Sequence, residues 1–403
     1  MATPHAALPD RLGLARARDL AATGSARTAR ADVARLLARV EAEVAADPAG
    51  CLRPAPSSPP PGAPGSGPAM LVTSAGTWAA GRFETPTLSD LAGRVAALRA
   101  PSDPAGPAPA VTLSVLQGTG PTTDIGTLQA ADDGAGLFQV ASQFNGLEAP
   151  GAYLVPVADY PGDPTQGPRA SVSAFPGTFL RHYRAPGPDG APFVQGAPGP
   201  DGVPREVDLL ADALGPAGRV VHGYLRAQDV RDPTAAAARL DPGAADDLSG
   251  PFGQVRVGLH AGVEVVFGHD WGGPVPAGSD GRGPRIAQAF TSTLALGGYS
   301  RGAGPAHRAL AGHLLRAAYL GTLLGALALG RRRAVLTLIG GGVFGNPRDL
   351  IWAAILWAVD RATPLAPAPL DVLVNARADL AGSVPAPALR AAVESRGGVL
   401  LDA

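Results

Sequence analysis

The stretch from Ala334 to Arg348, AVLTLIGGGVFGNPR, constrains the fold more than any other part of the chain. A β-branched apolar run, VLTLI, stops at three consecutive glycines, Gly340 to Gly342. After Val343, Phe344 and Gly345 come Asn346, Pro347 and the apolar-patterned DLIWAAILWAVD. That order predicts a buried strand, a glycine-rich turn and a helix start, with Asn346 as cap and Pro347 near the first helical turn. Backbone N–H groups crowded at such a turn, beside an open helix N-terminus, suit a phosphate or diphosphate. A tight strand-to-helix connection that binds nothing would leave the same trace. The loop lacks the Lys-Ser/Thr end of a nucleotide P-loop and the spacing of a GxGxxG element. Both absences argue against a conventional ATPase or Rossmann dehydrogenase.

The 403 residues can hold one large domain plus a smaller accessory region. Glycine (54) and proline (42) gather at 54–68 and 185–204, which read as a linker and a long loop. Lys+Arg of 33 against Asp+Glu of 34 gives no electrostatic case for nucleic-acid binding. Arg331, Arg332 and Arg333 read as the basic end of a helix. With Cys51 the only cysteine, neither an intramolecular disulfide nor a thiolate metal cluster is available. The N-terminus lacks the apolar core of a signal peptide, and a cytoplasmic setting is expected. The most membrane-like stretch, 317–330, lies between Arg316 and Arg331 and suits a buried helix better than a membrane span.

Residues 28–48 carry Val33, Leu36, Leu37, Val40 and Val44 at the spacing of an amphipathic helix. A short strand at 70–74 and a helix at 87–100 precede a break at 101–110. Residues 1–105 are thus expected to form an N-terminal helical accessory region with a proline-rich linker, and 106–403 the main domain. In the latter, strands are expected at VTLSVLQG, GLFQVASQF, 220–225, twice within 254–268, at PRIAQAFTSTLAL, VLTLI and 371–376. Helices are expected at 207–214, 304–329, 348–361 and 386–395. Apolar strands separated by helices predict an α/β layered fold with a partly parallel sheet.

Three segments, FQVASQFNGLE (138–148), DPTQGPRA (163–170) and GGGVFGNP (340–347), in this order resemble the macrodomain superfamily. The likeness is greatest to its divergent branch near poly(ADP-ribose) glycohydrolases and bacterial effector-type ADP-ribosylarginine hydrolases, and covers about 110–365. It implies a three-layer α/β/α fold with a mixed sheet and ADP-ribose bound at the sheet's crest, with no cofactor or metal required. Gly340, Gly341, Gly342, Val343, Phe344 and Gly345 would wrap the diphosphate, with Asn346 beside them. Asn145 would contact the distal ribose, and Glu148 would hold a hydroxyl or activate a water. Asp163, Thr165, Gln166 and Gly167 would form the wall facing the scissile bond, and an adenine pocket would lie toward 118–126. The poly(ADP-ribose) glycohydrolase signature has adjacent glutamates after its glycine run. Here no Glu-Glu pair occurs near either glycine loop, which argues against chain cleavage.

The chemistry the resemblance implies is hydrolysis of mono-ADP-ribose from protein side chains, with ADP-ribosylated protein as partner. Breaking a bond at C1 of a ribose needs stabilised oxocarbenium-like charge, a placed water and a proton donor. Glu148, Asp159 and Asp163 are the candidate catalytic carboxylates, although each alone also fits a solvated loop or a turn cap. An acidic rim around Asp159 and Asp163 would attract an arginine-linked substrate. A non-catalytic ADP-ribose-binding module and a nucleotide or N-riboside hydrolase stay open as alternatives. His182, His222, His260 and His269 have no metal-ligand spacing and read as core or surface residues. Ser142 and Ser171 lie in no GxSxG elbow.

Overall fold

The computed structural model describes residues 8–22, 30–55, 68–99, 110–187, 190–243, 248–271, 275–278, 280–377, 380 and 382–403. Most of the expected linker at 54–68 and of the break at 101–110 lies outside the described residues.

Among the described residues twelve strands form: β1 (Leu52–Pro54), β2 (Ala69–Thr73), β3 (Gly76–Glu84), β4 (Val111–Gln117), β5 (Gly136–Ala141), β6 (Ala185–Pro186), β7 (Pro192–Phe193), β8 (Gly258–Glu264), β9 (Arg285–Thr291), β10 (Arg333–Leu336), β11 (Leu370–Arg377) and β12 (Leu400–Asp402). Ten of them make one mixed sheet in the order β1-β2-β3-β8-β9-β5-β10-β11-β4-β12, while β6 and β7 pair separately within the long 185–204 loop. From β9 to β12 every pairing is parallel; from β1 to β9 every pairing is antiparallel.

Alternation along the parallel strands feeds two cores, one per face. Val335, Leu373, Phe138 and Leu116 join the core under the helices Leu14–Ala22, Arg30–Ala46, Gln166–Ser173 and Phe175–Tyr183. Ala334, Leu336, Val372, Val374, Leu113 and Leu137 join the core under Leu88–Leu98, Pro305–Ala328 and Arg348–Ala362. A strand buried on both faces reads as an unbroken apolar run, which is how VLTLI and DVLVNA read. The result is the expected α/β/α layering. Helix Pro305–Ala328 is long and apolar enough to cross a membrane by length and composition, and 83% of its most apolar window is buried in the fold.

Several local expectations change. The 254–268 region makes one strand, β8. Gly262, at φ +76, forms a bulge between Ala261 and Val263, and the chain runs on through it. Residues 220–225 form a turn around His222, not a strand, and the helix expected at 207–214 shrinks to Ala211–Leu214. Strand β3 was not anticipated because Gly81, at φ +74, interrupts its alternation. It pairs with β8, so the sheet continues across residue 105, and helix Leu88–Leu98 packs in the main core. Arg333 is no loose helix end: as the first residue of β10 it is buried in an ion pair with Asp132. At the helix start after the glycines, Pro347 occupies the cap position and Asn346 makes no capping bond. Its side chain instead turns under the loop, beside Gly340.

Candidate functional site

Four neighbouring parallel strands, β9, β5, β10 and β11, end at one cavity of about 410 Å³. This is the crevice where open α/β sheets offer loops and unpaired backbone. Ser292 leaves β9, Ala141 to Gln143 leave β5, Thr337 to Gly340 leave β10, and Asn375 with Arg377 close β11. The Asp163–Pro168 segment, Glu148, Tyr224, Tyr299 and the residues Gly342 to Phe344 complete the lining.

Glu148 is fixed from both sides. Its N–H donates to Tyr160 Oη at 2.8 Å. The carbonyl of the next residue, Ala149, accepts from Gln143 Nε2 at 2.9 Å and Tyr224 Oη at 2.6 Å, and Tyr299 Oη donates to the Pro150 carbonyl at 2.9 Å. Glu148 is 8% exposed, and its Oε1 is buried with no partner among the described residues. Burial holds its pKa well above the usual carboxylate range. The Arg181 guanidinium opposes this and Asp163 adds to it. A Cβ at Gly167 would come within 2.9 Å of Glu148 Oε2 and 2.5 Å of the Ala141 carbonyl, so only glycine lets that helix turn approach the acid.

Beneath this wall lies Arg181, fully buried and without a carboxylate hydrogen bond among the described residues. Nε donates to the Gly146 carbonyl at 3.0 Å, Nη2 to Thr178 Oγ1 at 3.1 Å and Nη1 to His260 Nδ1 at 3.1 Å. The guanidinium stacks 3.6 Å from the Phe290 ring centroid. His260 Nε2 meets the Ala80 carbonyl at 2.6 Å. Nε2 therefore carries the proton and leaves Nδ1 to accept from Arg181. Burial together with Arg181 pushes His260 down to about 3, and burial lowers Arg181 to about 9.

The glycine loop is built differently. Gly340, at φ +71, turns the chain. The N–H of Gly341 bonds to Leu338, that of Gly345 to Gly342 and that of Asn346 to Gly340, while the Phe344 carbonyl accepts from Leu296 and Gly297. The N–H groups of Gly340, Gly342, Val343 and Phe344 donate to no acceptor among the described residues. Phe344 packs its ring against Tyr224 and Tyr299.

The structure brings Glu148, Asp163, Thr165, Gln166, Gly167, Gly340, Gly342, Val343 and Phe344 to one cavity. Gln166 opens a helix there, its Oε1 accepting from the Ile125 N–H, and Asp163 Oδ1 accepts from the Thr165 N–H at 2.8 Å. Gly341, Gly345 and Asn346 belong to the loop but not to the lining. Asn145 does not line it either: it is fully buried, giving Nδ2 to Glu206 at 2.9 Å and taking the Leu147 N–H at 3.0 Å. Asp159 is exposed on the turn Val157–Gly162, outside the cavity, and 118–126 contributes no lining residue. Gln143, Ser292, Asn375, Arg377, Tyr224 and Tyr299 were missed. Four of them, Gln143, Ser292, Asn375 and Arg377, sit within two residues of the end of a parallel strand, a positional signal the sequence does carry. Arg377 also adopts φ +53, an uncommon conformation for a non-glycine residue. No group of three or more His, Cys, Asp or Glu side chains suited to a metal occurs among the described residues.

No family model and no curated relative matches the chain. Among solved structures it is similar to the poly(ADP-ribose) glycohydrolase of Thermomonospora curvata, at 17% identity over 90% of this chain and 98% of that one, with a TM-score of 0.35. The same enzyme bound to the inhibitor ADP-HPD aligns at 13% identity over the same shares, with a TM-score of 0.32.

Proposed function

We propose that the protein binds ADP-ribose in this cavity and hydrolyses the bond between C1 of the distal ribose and a modified protein side chain, arginine foremost. The observation that carries this reading is the complement of donors and acceptors. Three buried oxygens on lining residues, Gln143 Oε1, Glu148 Oε1 and Asn375 Oδ1, lack partners among the described residues. Buried acceptors of this kind cost about 1–3 kcal/mol each unless a ligand or water satisfies them. Across the cavity, the N–H groups of Gly340, Gly342, Val343 and Phe344 and the Arg377 guanidinium are donors without an acceptor among the described residues. Sugar hydroxyls donate to the first set, and phosphate oxygens accept only from the second. A ligand with ribose joined to diphosphate satisfies both.

Catalysis divides between two acids. Glu148, whose burial favours its protonated form, donates a proton to the leaving nitrogen as the C1–N bond breaks and its electron pair moves to that nitrogen. A water oxygen bonds to C1, and the Asp163 carboxylate takes the water's proton. Asp163 Oδ2 keeps no protein partner among the described residues for that task. A carboxylate at the rim also favours a cationic guanidinium leaving group. Asp159 has no part in this scheme. Gly167 and Pro168, which follow Gln166, supply no paired glutamates, in keeping with single adducts and not chains as substrate.

The test is a calorimetric titration with ADP-ribose, followed by incubation with an arginine-ADP-ribosylated protein and mass analysis of free ADP-ribose. Binding with release supports the proposal. Binding without release makes the protein a reader, faster consumption of NAD makes it an N-riboside hydrolase, and failure to bind removes the ADP-ribose readings together.

A further inference from the structure

The N-terminal helix Arg30–Ala46 buries Val33, Leu37, Val40 and Val44 against the sheet, and Glu41 with them. An apolar residue at 41 would serve the packing equally well, so the carboxyl group calls for another explanation. Its two oxygens accept from the Val157 N–H at 2.8 Å, the Ala158 N–H at 2.9 Å and Tyr183 Oη at 2.8 Å. These N–H groups open the turn Val157–Gly162, whose own cap residue, Pro156, makes no side-chain bond. The turn is therefore capped from 116 residues away.

This turn carries one group to each acid of the site. Tyr160 is 2% exposed, and its hydroxyl lies 2.8 Å from the Glu148 N–H and 2.7 Å from His182 Nε2. Burial and the Arg181 charge push His182 down to about 3, so its ring is neutral. Tyr160 then donates to Nε2 and its oxygen accepts from Glu148, which fixes the direction of both bonds. The Tyr160 carbonyl in turn accepts from the Asp163 N–H at 3.1 Å.

We infer that Glu41 is a positioning residue for the site: by capping the turn Val157–Gly162 it sets Tyr160, and through Tyr160 the Glu148 backbone and the start of the Asp163 loop. The inference rests on the functional reading above for its catalytic consequence but not for its geometry. The groups facing Glu148 are Arg181, Tyr160 and Asp163, with His182 behind Tyr160. None belongs to the N-terminal helix, so an effect of Glu41 on Glu148 must travel through the turn.

The experiment compares the full-length protein with Glu41→Gln, and with Leu37→Ala, which weakens the same helix without touching these bonds. Carbon-13 NMR of labelled glutamate follows the Glu148 titration, identified by its loss in Glu148→Gln. Thermal unfolding and ADP-ribose release are read alongside. In Glu41→Gln the Glu148 midpoint moves down toward the ordinary carboxylate range as water reaches the loosened wall. Release falls ~10-fold while ADP-ribose affinity stays within ~3-fold. Leu37→Ala lowers the melting temperature but leaves the midpoint in place. An unmoved midpoint in Glu41→Gln, or an equal movement in Leu37→Ala, overturns the inference. If Glu41→Gln does not fold, Tyr183→Phe removes one of the three bonds and is read in the same way. A parent protein that releases no ADP-ribose removes the functional reading, while the titration still decides the role of Glu41.

Discussion

The wall that carries Glu148 and the loop Gly340–Gly345 face the same cavity, but side chains hold the first and backbone forms the second. Around Glu148, Tyr160, Tyr224, Tyr299 and Gln143 each spend a polar group on the backbone of residues 148–150. In the glycine loop the cavity-lining residues Gly340, Gly342, Val343 and Phe344 carry bare N–H groups, and Val343 stands 55% exposed at its edge. Raising the pKa of a carboxylic acid by desolvation takes protein packed around it, and so many residues. A phosphate is bound by donors that any residue type owns, provided the chain turns sharply and no Cβ intrudes. The first wall should therefore govern rate and the second affinity.

The largest effect expected is on the acid wall. Glu148→Gln should cut release by ~100-fold or more, with ADP-ribose affinity within a few fold, since it removes a proton used in the transition state. Equal losses in both quantities would collapse the division between the walls. A pH profile sharpens the same point. Because the Glu148 pKa is raised, its proton persists to higher pH than that of an ordinary carboxyl and is lost as pH climbs through the shifted value. The rate should thus fall on the alkaline side, and the residual rate of Glu148→Gln should not show that limb. A limb that rises with pH would make Glu148 a base.

On the glycine wall the structure separates two substitutions. Gly342 has open space where a Cβ would stand and no positive φ, so Gly342→Val should fold normally yet lose at least ~10-fold in ADP-ribose binding, about 1.4 kcal/mol. Unchanged affinity in a normally melting variant would remove the diphosphate loop. Gly340, at φ +71 and with Asn346 Nδ2 2.4 Å from its would-be Cβ, is a structural glycine. Gly340→Val should cost roughly 1–3 kcal/mol of stability in denaturant unfolding. The smallest change expected is Arg377→Ala. A rim cation contributes a screened attraction, so affinity should drop a few fold and lose part of its salt dependence. A larger loss would make Arg377, not the glycine loop, the main phosphate anchor.

Part of this was legible early. The run from β10 through the glycines into helix Arg348–Ala362 could be read almost residue by residue, as could helices Arg30–Ala46, Leu88–Leu98 and Pro305–Ala328. Thr87 caps the second of these with the box formed with Asp90. Glu148 and Asp163 stand out because carboxylates are few in those loops. Asn145 stands out only through the family resemblance of its loop, but its amide is consumed by Glu206, 61 residues on, and nothing local announces that bond. Asp159 and Asp163 look alike in sequence, yet a short turn sends one to solvent and the other to the cavity mouth. The tyrosines were invisible as site residues because each acts through a backbone carbonyl or N–H whose partner is set by the fold.

The sequence by itself determined what depends on neighbours along the chain: the apolar periods of strands and helices, the glycine turn that exposes N–H groups, and the presence of an acid three residues after Asn145. Only the tertiary structure decided the strand order that aligns the ends of β9, β5, β10 and β11. The same packing surrounds Glu148 with low-dielectric protein and draws Glu41 across to Val157 and Ala158. Periodicity is a short-range property, fixed by the geometry of one turn or one pleat. Desolvation and hydrogen-bond completion depend on every group that packs nearby, whatever its distance in sequence, and here they make the difference between an ordinary loop carboxylate and a buried one whose pKa is raised.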